Sequence, residues 1–180
     1  MWSTALVVVI TVLYPFAVFF GQGRVEPRVL AALLAVVAVV RLGASAGALN
    51  RVWFLGALVL IALVLRNNDV LPLKLYPVLV NAGLLGLFGW SVYAPPTVIE
   101  RLARWREPDL PPAAIAYTRR VTQVWCVFFL VNGLIALYTA VRASAAAWSL
   151  YNGVIAYVAM GLLFAVEYSV RQRVMRAARG

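Results

Sequence analysis

Three asparagines stand out as strong polar groups within long apolar runs, and each has a glycine at hand: Asn81-Ala82-Gly83, Asn132-Gly133 and Asn152-Gly153. A small residue lets two helices come close, and an amide beside it can then hydrogen-bond across the gap. Two uses are open. As packing groups the asparagines contribute on the order of 0.6 kcal/mol each, and up to about 1–2 kcal/mol. As a layer they line a polar path for a substrate.

Other chemistry is sparse. Glu100, Glu107 and Asp109 suggest paired carboxylates for acid–base work. They lie among arginines, however, in a polar, proline-punctuated segment, which reads as solvated charge pairing. Glu167 stands four residues before Arg171, the spacing of an ion pair on a helix. The one cysteine, Cys126, sits inside an apolar run and reads as a small packing residue. There is no histidine, so the commonest general base is missing and a Cys/His pair is impossible. No phosphate loop, nucleophile elbow or metal-ligand spacing is present. The expectation is a protein that is not an enzyme and carries no cofactor and no metal.

What must position the asparagines is membrane sequence. The chain has 180 residues, of which 64% are apolar and 12% charged, and a mean hydropathy of +0.91. A soluble domain is about 45–50% apolar and about 25% charged. The net charge of +10 would suggest nucleic acid in a soluble protein. Here the basic residues lie between and after apolar runs, as in positive-inside loops, and nucleic acid is not an expected partner.

Six apolar runs follow in order: Trp2–Phe20, Val29–Val40, Val52–Leu65, Leu75–Tyr93, Val121–Val141 and Trp148–Val170. The first contains Pro15, which can kink it, so the count falls to five if that run does not span. With no basic region ahead of it, the first run reads as retained membrane sequence and not as a signal peptide. Pro27 is placed to open the second helix. The stretch GASAGALNR between Arg41 and Arg51 reads as a tight helical hairpin whose arginines snorkel to one interface. The third run is short and borrows residues from that turn.

The expected fold is therefore all-α: a polytopic membrane helix bundle forming one domain over 1–180, with a polar cytoplasmic connection at 94–120. With six spans and both termini inside, eleven basic residues fall inside and five outside, which puts the C-terminus in the cytoplasm. Within the connection, Thr97 can cap a helix, with Glu100 three residues on completing a capping box. Val98, Ile99, Leu102 and Trp105 then fall broadly on one side. That describes a short amphipathic interfacial helix whose Arg101, Arg104 and Arg106 are free for anionic headgroups or a cytoplasmic protein. Glu107-Pro108-Asp109-Leu110-Pro111-Pro112 ends it.

A family likeness adds to this reading. Asn68-Asp69 with Lys74 five residues after the aspartate, Pro96-x-x-Ile99-x-Arg101, Leu110-Pro111, and the spacing Trp125-x-x-Phe128-Phe129-x-x-x-Gly133-x-x-x-x-Tyr138 together resemble the bacterial inner-membrane septation protein A family. The likeness covers roughly residues 67–168. The stretch EPDLPPAAIAYTRRVTQVWCVFF is closer to a sister group of membrane proteins found with aryl-polyene and fatty-acid-like synthesis clusters. The resemblance implies a small multi-pass inner-membrane protein of the cell envelope, and neither group supplies a catalytic residue to carry over. The expected role is scaffolding, or helping to handle lipid-linked products. The alternative is a small transporter or flippase subunit for a lipid or polyene. The expected partners are the bilayer, anionic lipids and envelope or biosynthetic membrane proteins.

Overall fold

A computed structural model of the chain describes residues 13–21, 24–44, 48–105 and 107–177. Among these residues the secondary structure is helical, and three stretches are long and apolar enough to cross a membrane: Leu71–Tyr93, Pro112–Arg142 and Ala145–Gln172. Most of the first apolar run lies outside the described residues. Its last part, 13–21, is helix (α1) and passes through Pro15.

The second helix, α2 (Pro27–Ala44), opens at the expected proline and pairs with α3 (Ala48–Asn67). Helix α3 takes its first residues from the small-residue stretch, which brings it to 20 residues. Residues 45–47, where the hairpin turn is expected, and the side chains of Arg41 and Arg51 lie outside the described residues. Asn68 ends α3 at φ 51° with its N–H on Val64 O at 2.7 Å, a left-handed stop that asparagine tolerates. The Asp69 carboxylate accepts from Leu71 N at 3.0 Å and so caps the next turn.

That turn, α4 (Leu71–Lys74), is followed at once by α5 (Tyr76–Tyr93), and Pro77 explains the join. Proline has no N–H, so the carbonyl of Leu73, four residues back, loses the partner a continuous helix would give it. The Tyr14 hydroxyl donates to Leu73 O at 2.9 Å, and the Trp148 indole donates to the neighbouring Lys74 O at 3.2 Å. Tyr14, Leu73 and Trp148 are wholly buried, in a cluster that also holds Val18, Leu34 and Val64. Tyr14→Phe strands a buried carbonyl and should destabilise the fold by about 1–2 kcal/mol. Unfolding by SDS in mixed micelles would measure it, and an unchanged midpoint would mean another donor takes over Leu73 O.

Helix α5 packs along α7 (Pro112–Arg142), the most extensive helix pair in the structure. Helix α7 begins at Pro112, inside the polar connection expected over 94–120, and runs unbroken for 31 residues. Proline is at home in a first turn, no second proline follows within the helix, and Gly133 is carried inside it. At about 1.5 Å per residue α7 is about 46 Å long, against a hydrocarbon core of about 30 Å. Charge at Arg119 and Arg120 marks an end of the apolar part and not an end of the helix. The chain then passes through Ser144, whose hydroxyl caps α8 (Ala145–Leu150) by accepting from Ala147 N at 3.2 Å. A π turn (Tyr151–Ile155) leads into α9 (Ala156–Ala177).

Helix α6 (Val98–Arg104) is capped as expected on one side: Thr97 Oγ1 accepts from Glu100 N at 3.3 Å. A second acceptor comes from α5, where Ser91 Oγ takes Val98 N at 3.1 Å. The apolar residues divide, with Ile99 against the Trp125 cluster while Leu102 and Trp105 are exposed. Two expectations are corrected here. Glu100 is buried, not solvated, and Arg104 is not free. Its guanidinium donates twice to Glu100 Oε1, at 2.8 and 3.0 Å, and once to Pro108 O at 2.9 Å. A carboxylate turned inward at a helix N-terminus needs a cation, and the residue four places on is the one within reach.

Candidate functional site

The structure brings Asn81 and Asn132 together across the α5–α7 contact. Asn81 Nδ2 donates to Pro77 O at 2.8 Å, and Asn132 Nδ2 donates to Asn81 Oδ1 at 2.9 Å. Tyr151, at the start of the π turn, donates its hydroxyl to Asn132 Oδ1 at 2.8 Å. The result is a chain of hydrogen bonds from the proline break in α5, through α7, to the π turn. Gly133 sets its geometry, because a Cβ there would stand 3.1 Å from Asn81 Cβ.

Asn152 takes a different role. Both of its bonds are made by the amide nitrogen, to Trp148 O at 2.9 Å and to Thr139 Oγ1 at 3.3 Å. It therefore ties the π turn to α7 without touching the other two asparagines. Gly153 beside it admits Phe16 of α1, whose ring edge lies 2.7 Å from where a Cβ would be.

All three asparagines nonetheless face one space. A partly open cavity of about 200 Å³ lies among α1, α5, α7 and the start of α9, with Asn81, Asn132 and Asn152 in its walls beside Val80, Leu84 and Met160. Tyr14, Tyr76 and Tyr157 add three phenol rings, and no charged residue is among the described lining side chains. That volume equals about seven waters, enough for a polar head and a short length of hydrocarbon but not for a whole lipid. The polar layer is thus both a packing device and a wall of the cavity.

The family-motif residues are placed more variously. Trp125 and Phe129 are buried and form an aromatic cluster with Phe88, Phe128 and Phe164, at centroid distances of 4.5 to 6.5 Å. Gly133 belongs to the asparagine contact, one turn further along α7. Tyr138 is 65% exposed and stands apart from both. Of the arginines on the central segment, Arg101 is exposed with its Nε on Pro96 O at 3.0 Å, Arg104 is held by Glu100, and Arg106 lies outside the described residues.

Glu167 and Arg171 make no ion pair with each other among the described residues. They flank Tyr117 instead, whose hydroxyl donates to Glu167 O at 3.4 Å and joins α7 to α9. Cys126 is half-buried and free. No cluster of carboxylate, thiol or imidazole groups among the described residues is arranged to hold a metal ion. Sequence reasoning missed Tyr151, Thr139 and the phenol-lined wall. The only local signal for Tyr151 is its position next to Asn152.

Set against known proteins, the chain matches no family model, no curated protein and no solved structure.

Proposed function

We propose that this chain is a non-enzymatic, multi-pass protein of a bacterial inner membrane that helps handle lipid-linked products of the cell envelope by holding part of a lipid in the asparagine-lined cavity. The observation that carries the reading is the cavity itself. It places three amides and three phenol rings in one partly open space within otherwise hydrocarbon sequence. Polar groups inside a membrane are costly to keep, and those that face a cavity mark a path or a binding place.

In this reading α1, α2 and α3 complete a six-span bundle, with the arginine-rich segment around α6 and the C-terminal tail in the cytoplasm. Helix α6 lies at the interface, Leu102 and Trp105 toward the bilayer and Arg101 toward anionic headgroups. The likeness to the septation protein A family and its sister group agrees with an envelope role. A second reading, a small transporter or flippase subunit, is favoured by the hydrogen-bonded chain through α5, α7 and the π turn, which gives a polar group a series of partners across the bundle.

The test is lipid co-purification. Protein extracted in mild detergent should retain a bound lipid identifiable by mass spectrometry. Ala156→Phe and Met160→Trp, which fill the cavity, should each reduce its recovery at least about fivefold, on the scale of one lost contact, while eluting as folded protein. Equal recovery from both variants would sink the reading.

A further inference from the structure

We infer that the cavity selects a neutral lipid whose head is a hydroxyl group, and rejects phosphate-headed lipids. The inference rests on the reading of the cavity as a lipid-handling site and names the chemistry of its occupant.

Charge decides the first half. Among the described residues, the lining side chains include no Asp, Glu, Lys or Arg. A phosphate entering this space would shed its water and meet no cation in exchange, a loss that neutral amides do not repair. Basic residues are plentiful elsewhere in the chain, so their absence among the described residues of these walls separates the cavity from an anion site.

The hydrogen-bonding inventory decides the second half. A side-chain amide has two N–H donors and a carbonyl oxygen with two lone pairs. Asn152 commits its nitrogen to Trp148 O and Thr139 Oγ1, so what it has to offer is an acceptor, Oδ1, which accepts from no group among the described residues. Asn81 and Asn132 are the reverse. Each makes one bond through its nitrogen, to Pro77 O and to Asn81 Oδ1, and each keeps a second N–H. The three asparagines therefore present one acceptor and two donors, with no charge among the described lining side chains. A hydroxyl donates one proton and accepts from others, and so matches both kinds of wall at once. An ether or ester only accepts, and leaves Asn152 Oδ1 without a partner. Val80, Leu84 and Met160 take the first methylenes, and the open side of the cavity lets the rest of the chain trail out.

The experiment uses the full chain in detergent micelles with tritiated hexadecanol as probe, and hexadecyl methyl ether and hexadecyl phosphate as competitors. Saturable hexadecanol binding is expected, with the ether and the phosphate each weaker by about tenfold or more, the scale of one unmatched hydrogen bond. Asn152→Leu should abolish the preference for the alcohol, bringing the ratio of hexadecanol to ether affinity to about one. Should that variant fail to fold, the comparison of alcohol with ether on the unaltered protein still decides. A phosphate or an ether that competes as well as the alcohol overturns the inference, and so does the absence of saturable alcohol binding. In each of those cases, loss of the co-purified lipid from the cavity-filling variants would still uphold the lipid-handling reading. Retention of that lipid would remove both.

Discussion

With leucine in place of Gly133, the folded bundle should lose upwards of about 3 kcal/mol. The reason is local. A Cβ at position 133 already stands 3.1 Å from Asn81 Cβ, tighter than ordinary contact, and the neighbour it meets is the root of a side chain with no rotamer to yield. Alanine there asks α5 and α7 to give by a few tenths of an ångström and should cost about 1 kcal/mol. Leucine asks them to part. Parting also breaks the Asn132–Asn81 bond of 2.9 Å and strands the Tyr151 hydroxyl from its place in the chain. In a bilayer, packing of this kind carries helix association, since lipid tails are as apolar as the side chains they replace. SDS unfolding of the leucine variant, beside alanine, measures the series. Introducing Asn81→Gly into the leucine background should recover part of the loss. A leucine variant as stable as the parent would mean that the two helices do not meet at Gly133.

How much of this was legible in sequence depends on the range of each contact. Helix starts are local, so Pro27 opens α2 and Thr97 accepts from Glu100 N as the spacing predicts. The three membrane-length apolar stretches, Leu71–Tyr93, Pro112–Arg142 and Ala145–Gln172, are equally legible, because they are written in composition. The asparagine–glycine pairs announce close helix contacts without naming the partners. Asn81 and Asn132 are 51 residues apart and bond each other, whereas Asn152, which has the same local pattern, bonds Thr139 instead. The π turn has no sequence signature of its own. Its extra residue is accommodated where Phe16 packs on Gly153, a fit between distant elements. The start of α7 was hidden for a different reason: charge ends an apolar run but need not end a helix, and arginine is a good helix former, so α7 runs through Arg119 and Arg120. The bonds from Tyr14 and Trp148 to the α4–α5 break span 59 and 74 residues. Pro77 predicts that the Leu73 carbonyl needs a donor but cannot say which side chain will supply it.

Replacing Arg104 with methionine should destabilise the protein by about 2 kcal/mol, and adding Glu100→Gln should restore most of that loss. The side chain of Glu100 is 7% exposed and both of its side-chain bonds come from the Arg104 guanidinium. Removing the partner of a buried charge costs about 3–5 kcal/mol where both groups are buried. Arg104 is 39% exposed, so water takes up part of the vacancy and the figure is discounted. The glutamine variant separates charge from shape, since it keeps the volume of Glu100 and removes the need for a cation. If Arg104→Met alone is neutral, the pair is a surface pair and the inward turn of Glu100 has no energetic consequence. The same geometry reshapes any test of this segment as a docking surface. A reversal at Arg104 would break the Glu100 pair and set two carboxylates against each other, so lost partner recovery would report a damaged α6 and not a lost contact. Arg101 is exposed and holds only Pro96 O, through its Nε. Arg101→Glu is therefore the clean substitution, expected to weaken recovery of anionic lipid with the unfolding midpoint unchanged.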